Sequence, residues 1–322
     1  MEQYKPQGKP SRRGALFREL IAAGVKATGG DILQFARKYE KIATKTTSIP
    51  HGWHFEKEKL VSGGFVEYLE PKHCRRKDVV IMQLHGGGYT LGFLPEFRRR
   101  SESLARLGGN VPVLSLDYQI APEHPYPAAI EDAFQAVEWL RRVKGIAPES
   151  IVTIGESAGA GLSLALAMRL RDEGRGSLRA MVLMSPWTDL TCSGDSYESR
   201  YFLDPMFGRK IPPPDDSMRT TIGETYAGGN DLRNPYLSPA FGDFKGLPPM
   251  LIHVGEYEML YDDAAIVRKK GLAAGLDIEF KVWPGMFHAF QVFDFFVPEA
   301  KVAWREIGLY LQRFLAAEGG SQ

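Results

Sequence analysis

The sequence predicts an α/β protein with a mostly parallel central sheet flanked by helices, and three observations carry that prediction. Short β-rich runs alternate with helical patterns through most of the chain. Parallel strands need crossover connections, so alternation on this scale places helices on both faces of one sheet. The length, 322 residues, suffices for one large domain with an appended subdomain and a sizeable core.

The elements follow in order. MEQYKPQGKPSRRG is polar and basic with no apolar run behind it, and no stretch of the chain approaches the ~18 apolar residues of a spanning helix. Neither a secretory signal nor a membrane segment is predicted, and the expectation is a soluble cytoplasmic protein with a loose tail. Residues 14 to 46 read as helical: GALFRELIAAGVKA lines up Leu16, Phe17, Leu20, Ile21 and Val25, and DILQFARKYEKIA follows with Asp31 as N-cap. Strand character is predicted only after residue 60, in FVEYL, DVVIMQLH, VPVLSLDY, SIVTIGE, RAMVLMSP, PMLIHVG and DIEFKVW. Between them lie helical patterns such as PAAIEDAFQAVEWLRRV and AGAGLSLALAMRLRDE. From about Trp187 to Gly246 the chain is rich in Pro, Gly and aromatics and too long for a simple connection, which marks a lid or binding segment. The predicted organisation is a cap from residues 1–50 and 187–235 over a core of 51–186 and 236–322.

Charge narrows the partners. Lys and Arg number 40 against 39 Asp and Glu, so no global field recruits nucleic acid or an anionic membrane, and a small neutral ligand is the natural partner. Cys74 and Cys192 stand far apart without metal-ligand spacing, which argues against a disulfide framework or a zinc site.

In open α/β sheets ligands bind beyond the carboxyl ends of the strands, so the residues after each strand are the informative ones. IVTI runs through Gly155-Glu156-Ser157-Ala158-Gly159 into a helix, the strand, tight turn and helix of a nucleophile elbow. Its flanking glycines let strand and helix approach, and the helix N-terminus offers amides and positive dipole to an oxyanion. GAGLSL lacks the third glycine of a dinucleotide loop and opens inside a helix. VVIMQL ends in His85-Gly86-Gly87-Gly88-Tyr89, whose unshielded amides suit an oxyanion hole. Of the histidines that follow the serine, His253 sits inside the apolar strand LIHV as a core residue, whereas His288 lies in the loop after EFKVW and is the candidate base.

HGGG, GESAG, the intervening DYQIAPEHPYPAAIED and the late WPGMFHAF together resemble the hormone-sensitive lipase-like esterases of the α/β-hydrolase fold. The resemblance covers the chain from about residue 60 and implies a serine carboxylesterase with no cofactor or metal. It implies an oxyanion hole from Gly86, Gly87, Ala158 and, as a further candidate, Gly88, and a helical cap. Glu156 stands where many relatives carry Asp. In place of the family's Asp-x-Leu this chain has Glu258-Met259-Leu260, with Glu258 thirty residues before His288.

The acid therefore comes from GEYEMLYDD. Asp262 and Asp263 open a helical run and read as helix-start charges, and Glu256 as a rim residue. Glu258 is assigned as the acid, with Asp262 as its rival. One added methylene does not prevent a carboxylate from orienting an imidazole. The expected catalytic set is Ser157, Glu258 and His288, acting on short-to-medium acyl esters. Tyr89 and Glu156 are candidate substrate contacts. Phe17, Tyr197, Tyr201, Phe202 and Phe207 either line an apolar cleft or pack in the core. An amidase or lyase using the same site and a noncatalytic receptor remain alternatives. The helix over 297 to 315 is a candidate homodimer surface.

Overall fold

The computed structural model describes residues 9–27, 51–74, 76–208 and 222–316. The predicted helix DILQFARKYEKIA and the IPPPDD stretch of the long insertion fall outside those residues. Eight strands form one sheet: β1 (Trp53–Lys59), β2 (Phe65–Pro71), β3 (Val80–Leu84), β4 (Val113–Asp117), β5 (Ile151–Glu156), β6 (Ala180–Met184), β7 (Met250–Gly255) and β8 (Ile278–Trp283). Their order is β1-β2-β4-β3-β5-β6-β7-β8. β1 and β2 pair antiparallel, as do β2 and β4, and every later pair is parallel.

The unexpected strand is β1. WHFEKEK has no apolar alternation and lies half-exposed at the sheet edge, where charged side chains are tolerated and blunt edge-to-edge association. The central parallel strands β3, β5, β6 and β7, by contrast, are almost wholly buried because both faces are covered.

Alternate side chains divide the core. Val80, Met82, Leu84, Leu114 and Leu116 face α3 (Ala128–Trp139), α4 (Ala158–Asp172) and α5 (Tyr261–Ala273). Ile81, Val113, Val152, Ile154 and Val182 face α2 (Pro95–Leu107) and α6 (Pro298–Leu315). Pro95 and Pro298 sit at the first turns of those last two helices, where a missing N–H costs nothing. The helix named from sequence as a dimer surface spends its apolar face on the sheet: Ala303, Trp304, Ile307, Leu311 and Leu315 of α6 are buried, although Leu309 is exposed.

A third cluster ties α1 (Arg12–Ala27) to the carboxyl-end loops. Phe17 stacks on Phe296 at 5.0 Å and approaches Phe287 and Phe293, while Ile21 and Val25 are buried beside Trp283, Met286 and Phe287. The Ser11 amide and hydroxyl both donate to the Glu299 carboxylate, at 2.6 and 3.1 Å.

Two buried polar groups hold the frame. Asp132 on α3 accepts the Gly64 amide at 3.0 Å and the Gln119 amide at 2.7 Å, joining the β1–β2 hairpin to the exit of β4. His253 on β7 is fully buried against Trp283, with neither ring nitrogen hydrogen-bonded among the described residues. Its nearest carboxylate oxygen, on Glu306, is 3.7 Å away, too far for a hydrogen bond. Among the described residues no helix is long and apolar enough to cross a membrane.

Asp132→Ala strips two buried amides of their acceptor, at roughly 1–3 kcal/mol each. A denaturant melt should show a loss of about 2–5 kcal/mol. Burial lowers the His253 imidazole to about 3, with Lys281 adding to the effect; an unfolded histidine titrates near ~6.5. The unfolded chain thus takes the proton first as pH falls. The stability this site contributes is complete above pH ~6.5 and declines below it, by about 1.4 kcal/mol per pH unit. Urea melts between pH 4 and 7 should show a flatter dependence in His253→Leu.

Candidate active site

β5 delivers Ser157 onto a turn with φ 54° and ψ −122°, outside the regions that L-residues ordinarily occupy. The strain is held by backbone bonds. The Ser157 amide donates to Met184 O at 2.9 Å, and its carbonyl accepts the amides of Gly161 and Trp187, each at 3.1 Å. Space dictates the glycines: a Cβ on Gly155 would sit 2.4 Å from Gly159 O, and one on Gly159 would sit 2.2 Å from Leu84 O. The elbow helix thereby seats directly on the end of β3, beside the HGGG turn.

That turn is fixed from below. Tyr118 donates to His85 O at 2.8 Å and stacks on the His85 ring at 4.0 Å, and His85 Nδ1 bonds Gly86 O at 2.8 Å. Burial lowers the His85 imidazole to about 4, so the ring is a neutral prop. A Cβ on Gly86 would sit 3.0 Å from Glu156 Cγ, so the first glycine of the turn packs directly on the Glu156 side chain. Gly87 at φ 119° and Gly88 at φ 60° take the left-handed backbone that turns the next peptides. Among the described residues the amides of Gly87 and Gly88 have no backbone acceptor.

Two candidate substrate contacts pack against the turn itself. Tyr89 is 1% exposed and stacks on Tyr226 at 3.7 Å, with Tyr118 and Trp187 beside it, so its ring braces the turn from the core. Burial pushes the Glu156 carboxyl up, opposed by the charges of Arg100 and His288.

The loops after β7 and β8 are laced together. The Glu256 amide donates to Trp283 O at 3.0 Å, the Tyr257 amide to Met286 O at 2.9 Å, and the Gly285 amide to Glu256 Oε2 at 2.8 Å. Glu256 is therefore a buried strut rather than a rim charge. The lacing brings Glu258 to His288: Oε2 lies 3.1 Å from His288 Nδ1, with Glu258 fully buried and His288 4% exposed. The other oxygen, Oε1, accepts the Ser185 hydroxyl at 2.6 Å and the Gly255 amide at 2.5 Å.

Asp262 and Asp263 do stand in the first turn of α5, but they do not cap it. Asp262 Oδ2 accepts the Ser196 amide at 2.8 Å. Asp263 accepts the amides of Thr188 and Asp189 at 2.7 and 2.8 Å and the Tyr197 hydroxyl at 3.0 Å; burial, with Asp189 nearby, pushes its carboxyl up to about 8. Both carboxylates are committed to the start of the long insertion, away from the imidazole.

The insertion also reaches the histidine. Phe207 sets its ring edge to His288 at 4.9 Å, while Asp204 accepts the amides of Met206, Phe207 and Met259. Arg200 donates to Glu256 O and lies 3.5 Å over the Tyr261 ring. Of the other aromatic candidates, Tyr197 and Tyr201 are buried, Phe17 packs under the His288 loop, and Phe202 is half-exposed. Sequence reasoning missed Ser185, Arg200 and Asp204. Ser185 had a signal, its place directly after a strand. The other two lie in irregular chain with no periodicity to single them out. Among the described residues no group of His, Cys, Asp and Glu is arranged to hold a metal.

A strained serine, a buried carboxylate–histidine pair and a glycine turn with free amides share the carboxyl end of one sheet, and that arrangement has known counterparts. A family model described as alpha/beta hydrolase fold matches residues 81–292. The chain is 38% identical to an acetyl-hydrolase of Streptomyces hygroscopicus over 301 residues, covering 92% of this chain and 95% of the relative. It superposes with a TM-score of 0.82 on the crystal structure of EstE5 soaked with p-nitrophenyl butyrate, at 31% identity over 95% of this chain and 100% of that one. An esterase of the bacterial hormone-sensitive lipase family gives a TM-score of 0.78 at 31% identity, over 93% of this chain and 98% of that one. The chain belongs to the alpha/beta-hydrolase fold family, among its hormone-sensitive lipase-like esterases.

Proposed function

We propose that the protein is a serine carboxylesterase acting on short-to-medium acyl esters, with Ser157 as nucleophile, His288 as base and Glu258 as the acid that orients it. The observation that carries this reading is the buried 3.1 Å contact between Glu258 and His288, at the same end of the sheet as a serine on a nucleophile elbow. Glu258 holds the Nδ1–H tautomer, which leaves Nε2 to take the Ser157 proton as Oγ attacks the ester carbonyl. The oxyanion hole is assigned to the amides of Gly86, Gly87 and Ala158, with Gly88 as a further candidate. His288 then protonates the leaving alcohol and activates water for deacylation. The α1 segment and the insertion after β6 serve as the cap, a reading supported by Phe207 against His288 and by Ile222 2.8 Å from where a Gly88 Cβ would stand. Such close apolar walls favour compact acyl groups. An acetyl-hydrolase relative and a neighbour soaked with a butyrate ester agree with that preference.

An organophosphate should label wild type and fail to label Ser157→Ala, and p-nitrophenyl acetate and butyrate should turn over well ahead of the palmitate. Labelling without ester turnover would sink the esterase reading. Glu258→Ala should lower kcat by about 10³-fold or more with the fold intact by circular dichroism. Asp262→Ala should keep kcat within about threefold, since its carboxylate serves Ser196; the reverse pattern would transfer the acid to Asp262.

A further inference from the structure

We propose that Ser185, the residue directly after β6, is a positioning residue that sets the nucleophile, base and acid in register. The inference rests on the reading of Glu258 as the acid. Ser185 is fully buried, and its φ of 48° places it in the left-handed region that a serine occupies only at a cost of about 1–3 kcal/mol. A buried, strained polar residue persists where its surroundings hold it. Here they hold both its amide and its hydroxyl.

The Ser185 amide donates to His253 O at 2.7 Å, which anchors it to β7. Its hydroxyl donates to Glu258 Oε1 at 2.6 Å and accepts the Ala289 amide at 2.9 Å. One hydroxyl thus joins the acid to the residue that follows the base. Ala289 itself has φ 48°, so the chain leaves His288 through a second left-handed turn whose amide ends on Ser185. On the other side, Met184 O accepts the Ser157 amide at 2.9 Å. The tip of β6 therefore touches the backbone of the nucleophile through Met184, and the acid and the base loop through Ser185.

The hydroxyl does what the carboxylate requires. A glutamate has one more rotatable bond than an aspartate, so its terminal group can swing out of the imidazole plane. With Oε1 fixed by Ser185 and the Gly255 amide, Oε2 remains for His288. A Cβ on Gly255 would lie 2.9 Å from Oε1 and 2.6 Å from Met286 O, so only a glycine lets the β7 end approach the carboxylate this closely.

A double-mutant cycle tests this. Ser185→Ala should lower kcat for p-nitrophenyl butyrate about 10–100-fold with KM little changed, the size of effect expected from misplacing a catalytic group by about 1 Å. In a Glu258→Ala background the same substitution should change kcat by less than about twofold, because the hydroxyl acts through the carboxylate. Equal losses in both backgrounds would overturn the proposal and make Ser185 a structural bond of the loop. Full activity of Ser185→Ala would also overturn it. Should Ser185→Ala fail to fold, Ser185→Gly accommodates the positive φ and carries the same cycle. An active Glu258→Ala would sink the underlying assignment, whereas an inactive Glu258→Ala beside an unimpaired Ser185→Ala would sink the Ser185 role alone.

Discussion

The structure depends on backbone meeting backbone where the elbow helix starts. With Gly159 pressed on the carbonyls of Leu84 and His85, no side chain of any kind fits between α4 and the end of β3. That contact fixes the distance between the serine turn and the glycine turn before any side-chain chemistry is specified. It also explains why the surrounding polar groups are arranged as supports. Tyr118, His85 and Tyr89 stack beneath the glycine turn, and the Glu156 side chain packs against Gly86.

A second constraint acts at the far side of the sheet. β5 and β8 are separated by two strands, so the serine and the histidine cannot be registered by direct pairing. Registration comes instead from loops that hydrogen-bond across strand ends. Among the described residues, four of the six non-glycine residues with positive φ, namely Tyr89, Ser157, Ser185 and Ala289, sit at these junctions. Strain concentrated at strand ends is what a rigid sheet permits: the ladders beneath hold positions that an isolated loop would relax.

Much of this was legible in the sequence, and the boundary of legibility has a physical basis. The parallel strands were readable because burial on both faces demands unbroken apolar runs, and the elbow and HGGG turn because glycine is the residue that close approach and left-handed backbone require. β1 was not, since an edge strand answers to solvent on one side and can be written WHFEKEK. Among the carboxylates of GEYEMLYDD, the resemblance to the family's Asp-x-Leu pointed to Glu258, but Glu256 was misread as a rim charge. A carboxylate buried by a loop from thirty residues away leaves no local trace. Asp262 and Asp263 looked like helix caps for the same reason, because their partners, Ser196 and the Thr188–Asp189 amides, lie in the irregular insertion.

Those misread carboxylates show how the insertion is attached. Ser196 donates its hydroxyl to Met259 O at 2.6 Å and receives the Asp262 amide at 3.0 Å, Asp204 takes the Met259 amide, and Arg200 caps Glu256 O. The residues on either side of Glu258 are thus bonded to the same short stretch that carries Phe207 to His288. Burial raises the Asp204 carboxyl, and the amides it accepts hold it down; that balance lasts only while the stretch stays closed on the loop. A displacement of residues 196–207 would free Met259 and uncover the histidine together. The residues flanking Glu258 and the stretch that brings Phe207 to His288 therefore share one set of hydrogen bonds.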